Sequence, residues 1–310
     1  FRADFDALQQ AIDEVLIGQQ ENVQLTLAAL IAGGHVLLEG PPGVGKTLLG
    51  RTLAQLLDVE NRRIQFTSDL MPADIIGTYV VMESQGRRRF EFQQGPIFTN
   101  LLLADEINRA TPKTQAALFE ALEERSLTVA NETYALPVPF FTVATQSLGD
   151  IEGTFPVPET QLDRFFFQLQ MKPPSGGDLE TVLRRTTDAE PKPPGPVVDE
   201  NRLAQMSQQA RQVAVPPEVL AYVARLVAAT HPADKKAAEA TRRFVLRGAS
   251  PRGGQAMILA GKVLALTEGR RQLSREDIRR VALPALRHRI TLNFEGHAEE
   301  AGIDGLLTDM

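Results

Sequence analysis

Apolar residues near the start of the chain fall at helical spacing. Phe5, Leu8, Ile12, Val15 and Leu16 form one stripe, and Val23, Leu27, Leu30 and Ile31 form another that Gly33 and Gly34 end. The period then changes. "HVLLEG" (His35 to Gly40) reads as a short buried strand, after which Leu49, Leu53, Leu56 and Leu57 return to i, i+4, i+7, i+8, one face of a helix. "RRIQF" (Arg62 to Phe66), "NLLLADE" (Asn100 to Glu106), "FFTVATQ" (Phe140 to Gln146) and "RFFFQLQ" (Arg164 to Gln170) read as further strands. Two of them are continuous apolar runs, as parallel strands covered on both faces should be. Helical stretches alternate with these strands, which predicts a doubly wound, mostly parallel α/β sheet of five strands. Two hairpins are inserted, "YVVMESQGRRRFEF" (Tyr79 to Phe92) and "SLTVANETYALP" (Ser126 to Pro137), each alternating apolar and polar residues around a polar tip.

The character changes after residue 172. "KPPSGG" (Lys172 to Gly177) has the composition of a linker, and "PKPPGP" (Pro191 to Pro196) that of stiff, extended chain. Beyond it the pattern is helical. Val219, Tyr222, Val223, Leu226 and Val227 keep one face, and Ser274 with Asp277 predicts a capping box. The expected organisation is an α/β unit over 1–172, then a linker and a small all-α domain over 173–310. No internal repeat is evident.

Chemistry concentrates in "EGPPGVGKTLL" (Glu39 to Leu49), between a strand and a helix. The stretch fits G-x-x-x-x-G-K-[ST], which makes Gly40, Pro41, Pro42, Gly43, Val44, Gly45, Lys46, Thr47 and Leu48 the candidate nucleotide-binding residues. Gly40, Gly43 and Gly45 let backbone N–H groups turn inward around phosphates, and the following helix points its positive end at the same place. Lys46 can reach the outer phosphates and the Thr47 hydroxyl can take magnesium. The motif alone does not separate kinases, GTPases and motors. "LLLADEINRA" (Leu101 to Ala110) ends a buried strand in two carboxylates; Asp105 is the expected magnesium partner of Thr47, and Glu106 the group that polarises an attacking water.

Composition narrows the setting. With 310 residues, 43% hydrophobic and 23% charged, the chain has room for about two domains with proper cores. It has no cysteine and only four scattered histidines, so neither a disulfide framework nor a zinc site is expected, and a reducing, cytoplasmic compartment fits. No apolar run approaches the ~20 residues of a membrane span. The net charge of −6 argues against nucleic acid as partner. Arg87, Arg88 and Arg89 at a hairpin tip read as a solvated face, with partner contact as the minor alternative.

Several motifs together carry a resemblance. "GPPGVGKT", "ADEINRATPKTQAALFEALEER", "FEFQQGPIF", "EGTFPVPETQLDRF" and "GASPRG" resemble those of the MoxR-like AAA+ ATPases, in the same order and over nearly the whole chain. The resemblance implies an AAA+ core with a helical lid, ATP and magnesium, and a homo-oligomeric ring, typically hexameric. It also implies a chaperone-like action on client proteins, with von Willebrand factor A-domain proteins as frequent partners. By the same correspondence Ile17 and Gly18 lie against the adenine, unless they are a plain interhelical turn. Arg164 is the arginine finger of a neighbouring subunit's site, or else a salt-bridging arginine at a strand start. Arg252 is the sensor 2 arginine, and Ser250 and Pro251 before it suit a helix start. Ser147 stands where the family has the asparagine of sensor 1, so the implied hydrolysis competes with an alternative in which ATP only gates assembly of a scaffold. Arg279, Arg280, Arg287 and Arg289 need no role beyond solubility or subunit packing.

Overall fold

The computed structural model describes residues 1–84, 87–147, 153–188 and 194–309. The hairpin tip at Gln85 and Gly86, the start of "EGTFPVPETQLDRF" at Glu152 and the first prolines of "PKPPGP" lie outside them. Helices α1 (Arg2–Asp13) and α2 (Gln20–Ala32) come first, and the second ends in a left-handed Gly33. Then follow β1 (Val36–Gly40), α3 (Lys46–Leu56), β2 (Asn61–Gln65), β3 (Leu101–Asp105), α4 (Pro112–Glu124), β4 (Phe141–Ser147) and β5 (Phe167–Gln170). The strands form one sheet in the order β5-β1-β4-β3-β2, with every neighbouring pair parallel.

Successive side chains of a strand point to opposite faces, so two cores form. Leu37, Leu102, Ala104 and Ala144 pack with Leu118, Phe119 and Leu122 of α4 on one face. Val36, Leu38, Leu103 and Val143 pack with α1, α2 and α3 on the other. The last strand is shorter than "RFFFQLQ" predicts. Arg164 and Phe165 donate their N–H groups to Gln161 and Leu162 carbonyls, continuing the turn of the short helix Glu159–Leu162, so extended pairing starts only at Phe167. The expected hairpins pair as Gly77–Ser84 with Arg87–Gln94 and as Ser126–Val129 with Glu132–Ala135. An aromatic contact joins them: the Phe92 and Tyr134 rings lie 4.4 Å apart and the Tyr79 and Tyr134 hydroxyls share a 2.9 Å hydrogen bond.

The remaining chain forms α5 (Gly176–Asp188), α6 (Glu200–Arg211), α7 (Pro217–Ala229), α8 (Pro251–Thr267) and α9 (Arg275–Leu286). A short antiparallel pair, Val245–Arg247 with Thr291–Leu292, punctuates these helices. Leu203, Met206, Met257, Val263 and Ile278 join the same apolar cluster as α1 and α2, with α8 and α6 laid against α2. That explains why α2 buries Leu25, Thr26, Ala28 and Ala29 besides its predicted stripe: a helix apolar all round is covered all round. Arg289, expected to be a solubility or packing residue, is buried instead. Its guanidinium bonds Asp163 Oδ1 at 2.9 Å and the Asp163 and Phe165 carbonyls at 3.0 and 2.6 Å, tying the end of α9 to the approach to β5. Burial pulls its pKa down to about 10, against the attraction of Asp163.

The capping box at α9 forms as predicted. Ser274 Oγ accepts from the Asp277 N–H, and Arg270 grips both Asp277 oxygens at 2.8 and 2.6 Å. Burial pushes the Asp277 carboxyl up, but the hydrogen bonds from Arg270 and Ser274 outweigh it and hold the group below its ordinary 3.8. Asp277→Ala should therefore lower stability by about 1–3 kcal/mol at neutral pH, from the lost cap and charge-assisted bonds. A carboxyl whose folded pKa is depressed stabilises above its unfolded pKa and loses that effect as pH falls through the folded one. Denaturant midpoints measured against pH should show the gap between variant and wild type closing below about 3.8.

Candidate nucleotide site

The loop after β1 has the backbone that a phosphate chain needs. Gly40 and Gly45 sit at φ 153° and 97°. A Cβ on Gly40 would stand 2.4 Å from the Met171 carbonyl oxygen, and one on Gly45 2.4 Å from Leu16 Cδ1, so neither position accepts a larger residue. Helix α3 begins at Lys46 without a side-chain cap, which leaves its first N–H groups and its positive end for an anion. Val44 is buried, while Pro41, Pro42 and Gly43 form the exposed crown. The buried Lys46 ammonium donates to the Gly40 carbonyl at 2.6 Å, to the Pro41 carbonyl at 3.0 Å and to Ser147 Oγ at 3.3 Å. Burial lowers its pKa, opposed by the charges of Glu106 and Asp105.

The two carboxylates at the end of β3 have different surroundings. Asp105 is 2% exposed; its Oδ1 accepts from the Thr47 hydroxyl at 3.2 Å and from Thr145 at 3.4 Å, and its Oδ2 accepts from Arg63 Nε at 2.7 Å. Thr47 and Asp105 thus present adjacent hard oxygen donors, the chemistry that suits magnesium. Glu106 lies in the left-handed region, φ 59° and ψ 50°, a strained conformation for a residue with a Cβ. Thr145 Oγ1 accepts its N–H at 3.0 Å, and the turn aims the carboxylate at Ser147, whose hydroxyl donates to Oε1 at 2.7 Å. Oε2 is buried and accepts no hydrogen bond among the described residues, with Arg109 Nε 3.6 Å away. Ser147, short as it is, reaches both Lys46 and Glu106 directly.

Ile17 and Leu48 face one cavity of ≈ 130 Å³ beside the loop, together with Leu16 and Gly45. Val182 and Thr186 of α5 also line it, although no sequence motif marks them. Gly18 is not part of that lining. It turns at φ 77° with Asp178 beside it, where a Cβ would meet Asp178 Oδ2 at 2.9 Å. Gln19, buried at the same turn, donates to the Lys172 carbonyl at 2.7 Å and joins the start of α2 to the end of β5.

Arg164 and Arg252 are brought together, but not to the P-loop of their own chain. Arg164 precedes the start of β5, whose Phe167 is paired with Val36 at the start of β1, whereas the P-loop follows the end of β1. At about 3.3 Å per residue the two places are separated by the length of the sheet, roughly 15 Å or more. Arg164 Nε donates to Glu123 Oε2 at 2.7 Å, and the Arg252 guanidinium bonds Glu123 Oε1 and, at 3.2 Å, Asp163 Oδ2. Hydrogen bonding from Arg252 is the main reason the Glu123 carboxyl titrates below its ordinary value. Ser250 does not cap α8; its hydroxyl donates to Asp163 Oδ1 at 2.6 Å. Arg63, Thr145, Glu123 and Asp163 therefore bond the candidate residues without having stood out in the sequence. Only contiguity could have pointed to Asp163, beside Arg164.

Residues 35–167 match the ATPase family associated with various cellular activities (AAA), and residues 237–306 match the AAA lid domain. The chain is 38% identical to chaperone MoxR1 of Mycobacterium tuberculosis over 96% of its own length and 79% of that protein, and 32% identical to protein MoxR of Methylorubrum extorquens over 92% and 86%. A candidate ATPase of known crystal structure from Cytophaga hutchinsonii superimposes with a TM-score of 0.88 at 34% identity, covering 100% of this chain and 94% of that one. With the P-loop, the paired carboxylates and the helical lid in one molecule, the chain belongs to the MoxR-like AAA+ ATPases.

Proposed function

We propose that the chain binds and hydrolyses ATP with magnesium at the interfaces of a homo-oligomeric ring, typically a hexamer, and uses the cycle to remodel or activate a client protein in the cytoplasm. The observation that carries this reading is the separation of the site into two halves. Lys46, Thr47, Asp105, Glu106 and Ser147 meet at one end of the sheet, and Arg164 and Arg252 meet on Glu123 at the other. Two ends of one chain that cannot meet within it can meet between neighbours in a head-to-tail ring.

Within the site, the loop amides and Lys46 bind the phosphates, and Leu48 and Ile17 take the base into the cavity under α5. Thr47 and Asp105 would hold magnesium, which supplies charge neutralisation at the phosphates. Ser147 holds Glu106 Oε1, and the Glu106 carboxylate acts as general base on the attacking water. Arg164 and Arg252 enter from the neighbour, and a cation supplied in that way can be worth roughly 10³–10⁵ in rate. Arg252 then reports on a neighbour's nucleotide rather than its own. A von Willebrand factor A-domain protein is a candidate adaptor; net charge −6 disfavours nucleic acid, and none of the described helices is long and apolar enough to cross a membrane.

The second reading, an ATP-gated scaffold, draws on serine at the sensor 1 position. The direct Ser147 to Glu106 hydrogen bond favours hydrolysis instead. Two variants separate them. Glu106→Gln should keep ATP affinity and lose turnover by about 10²-fold or more, the scale of general-base catalysis; Ser147→Ala should lower kcat with little change in affinity. Isothermal titration with steady-state phosphate release measures both, and Glu106→Gln with full client-directed activity would favour the scaffold.

The ring itself is tested by mixing. Lys46→Ala should lose nucleotide binding, and Arg164→Ala should keep it while losing turnover, as expected of a group used in the transition state. Mixed rings contain some interfaces that join an intact P-loop to an intact arginine. ATPase activity should therefore reappear when the two inactive proteins are combined. Mixed rings that stay inactive would count against a trans arginine.

A further inference from the structure

One cation at the nucleotide site has no part in the function so far described. Arg63 lies on β2, the edge strand beside β3, where Gln65 is paired with Asp105 and Arg63 with Leu103. Positions 63 and 65 share a face of the strand, so the long Arg63 side chain runs along it toward Asp105. Its Nε reaches Asp105 Oδ2 at 2.7 Å while Nη2 donates to Gln65 Oε1 at 2.8 Å, which steadies the guanidinium in that place. The Asp105 side chain is 4% exposed and that of Arg63 41%. Lys46 adds a second positive charge nearby, but its ammonium donates to Gly40, Pro41 and Ser147, so among the described residues Arg63 is the cation in direct contact with Asp105.

A buried carboxylate without a counter-charge costs several kcal/mol. Whatever cation balances it competes with any other that approaches. Resting on the nucleotide-site reading, we propose that Arg63 is a built-in counter-cation of the metal site, which balances Asp105 and weakens the hold on a free divalent ion, so that the metal enters together with the nucleotide. The phosphates bring the negative charge that Arg63 otherwise offsets. The half-exposed side chain on an edge strand has solvent to move into when Asp105 turns to the metal.

The charge is separable from the hydrogen bond. Arg63→Gln keeps an N–H donor and loses the charge, while Arg63→Lys keeps the charge. Manganese binding to the whole chain, followed by electron paramagnetic resonance with and without a non-hydrolysable ATP analogue, should show Arg63→Gln binding free manganese on the order of tenfold more tightly than wild type, from a unit charge removed a few ångströms away. Arg63→Lys should remain close to wild type. Adding Asp105→Asn to Arg63→Gln should abolish the gain. Arg63→Gln should also lower the thermal midpoint, because it leaves the buried Asp105 without its paired charge, whereas Arg63→Lys should stay near wild type. Unchanged or weaker manganese binding by Arg63→Gln, with analogue binding intact, would overturn the inference and leave the nucleotide site standing, as would a gain that persists without Asp105. Failure of the wild-type chain to bind the analogue would instead remove the nucleotide reading, and this inference with it.

Discussion

The nucleotide site depends on the in-register parallel pairing of three strands. Gly40 at the end of β1 is opposite Ser147 at the end of β4, and Ala104 of β3 is opposite Ala144, one residue before Thr145. That register puts the loop, the two carboxylates and the serine at one edge, close enough for Lys46 to reach Ser147, Ser147 to reach Glu106 and Thr145 to support both Asp105 and Glu106. A slip of one residue would turn each of these side chains to the other face. The two apolar cores resist such a slip, because it would move Leu37, Leu102 and Ala144 out of one and Val36, Leu103 and Val143 out of the other.

The same register makes the molecule two-ended. Helix α4 spans 13 residues, about 20 Å, from the turn after Glu106 to Glu123. Its far end holds Arg164 and Arg252 on one carboxylate. Next to it, Asp163 receives Ser250, Arg252 and the buried Arg289. Loops alone do not set the position of these arginines. They are fixed by a core helix on one side and by the lid on the other, and the lid is in turn fixed by the core it shares with α2. Buried charge pairs contribute modest net stability but penalise any arrangement that leaves one member unpaired. At this junction they specify geometry, and a change in the lid's position would be felt directly at Arg252.

Much of this was present in the order of residues. Strand and helix periods, the glycines of the loop, the lysine and threonine after it and the paired carboxylates after an apolar run are local signals, because each reflects the chain's own pitch or its close approach to a phosphate. The capping box at Ser274 and Asp277 is equally local, and forms. Local reasoning failed where a residue's environment came from distant chain. Three phenylalanines after Arg164 put it at the start of the predicted strand, yet a helical turn extends through it. Of the motif Ile17-Gly18-Gln19, the first and last residues line the cavity beside the loop, while Gly18 turns against Asp178. Arg289 looked like one basic residue among several, and it is buried between lid and core.

What the sequence determined by itself was the type of each element and the chemistry of the phosphate-binding half, since both follow from neighbours within a few positions. Only the tertiary structure decided that Arg63 pairs with Asp105, that α5 lines the cavity beside the loop, and that Arg164 and Arg252 share Glu123 at the opposite end of the sheet. These are contacts between residues about 40 to 170 positions apart. Charge and size along a chain allow many such pairs, and sheet order, helix packing and burial select among them.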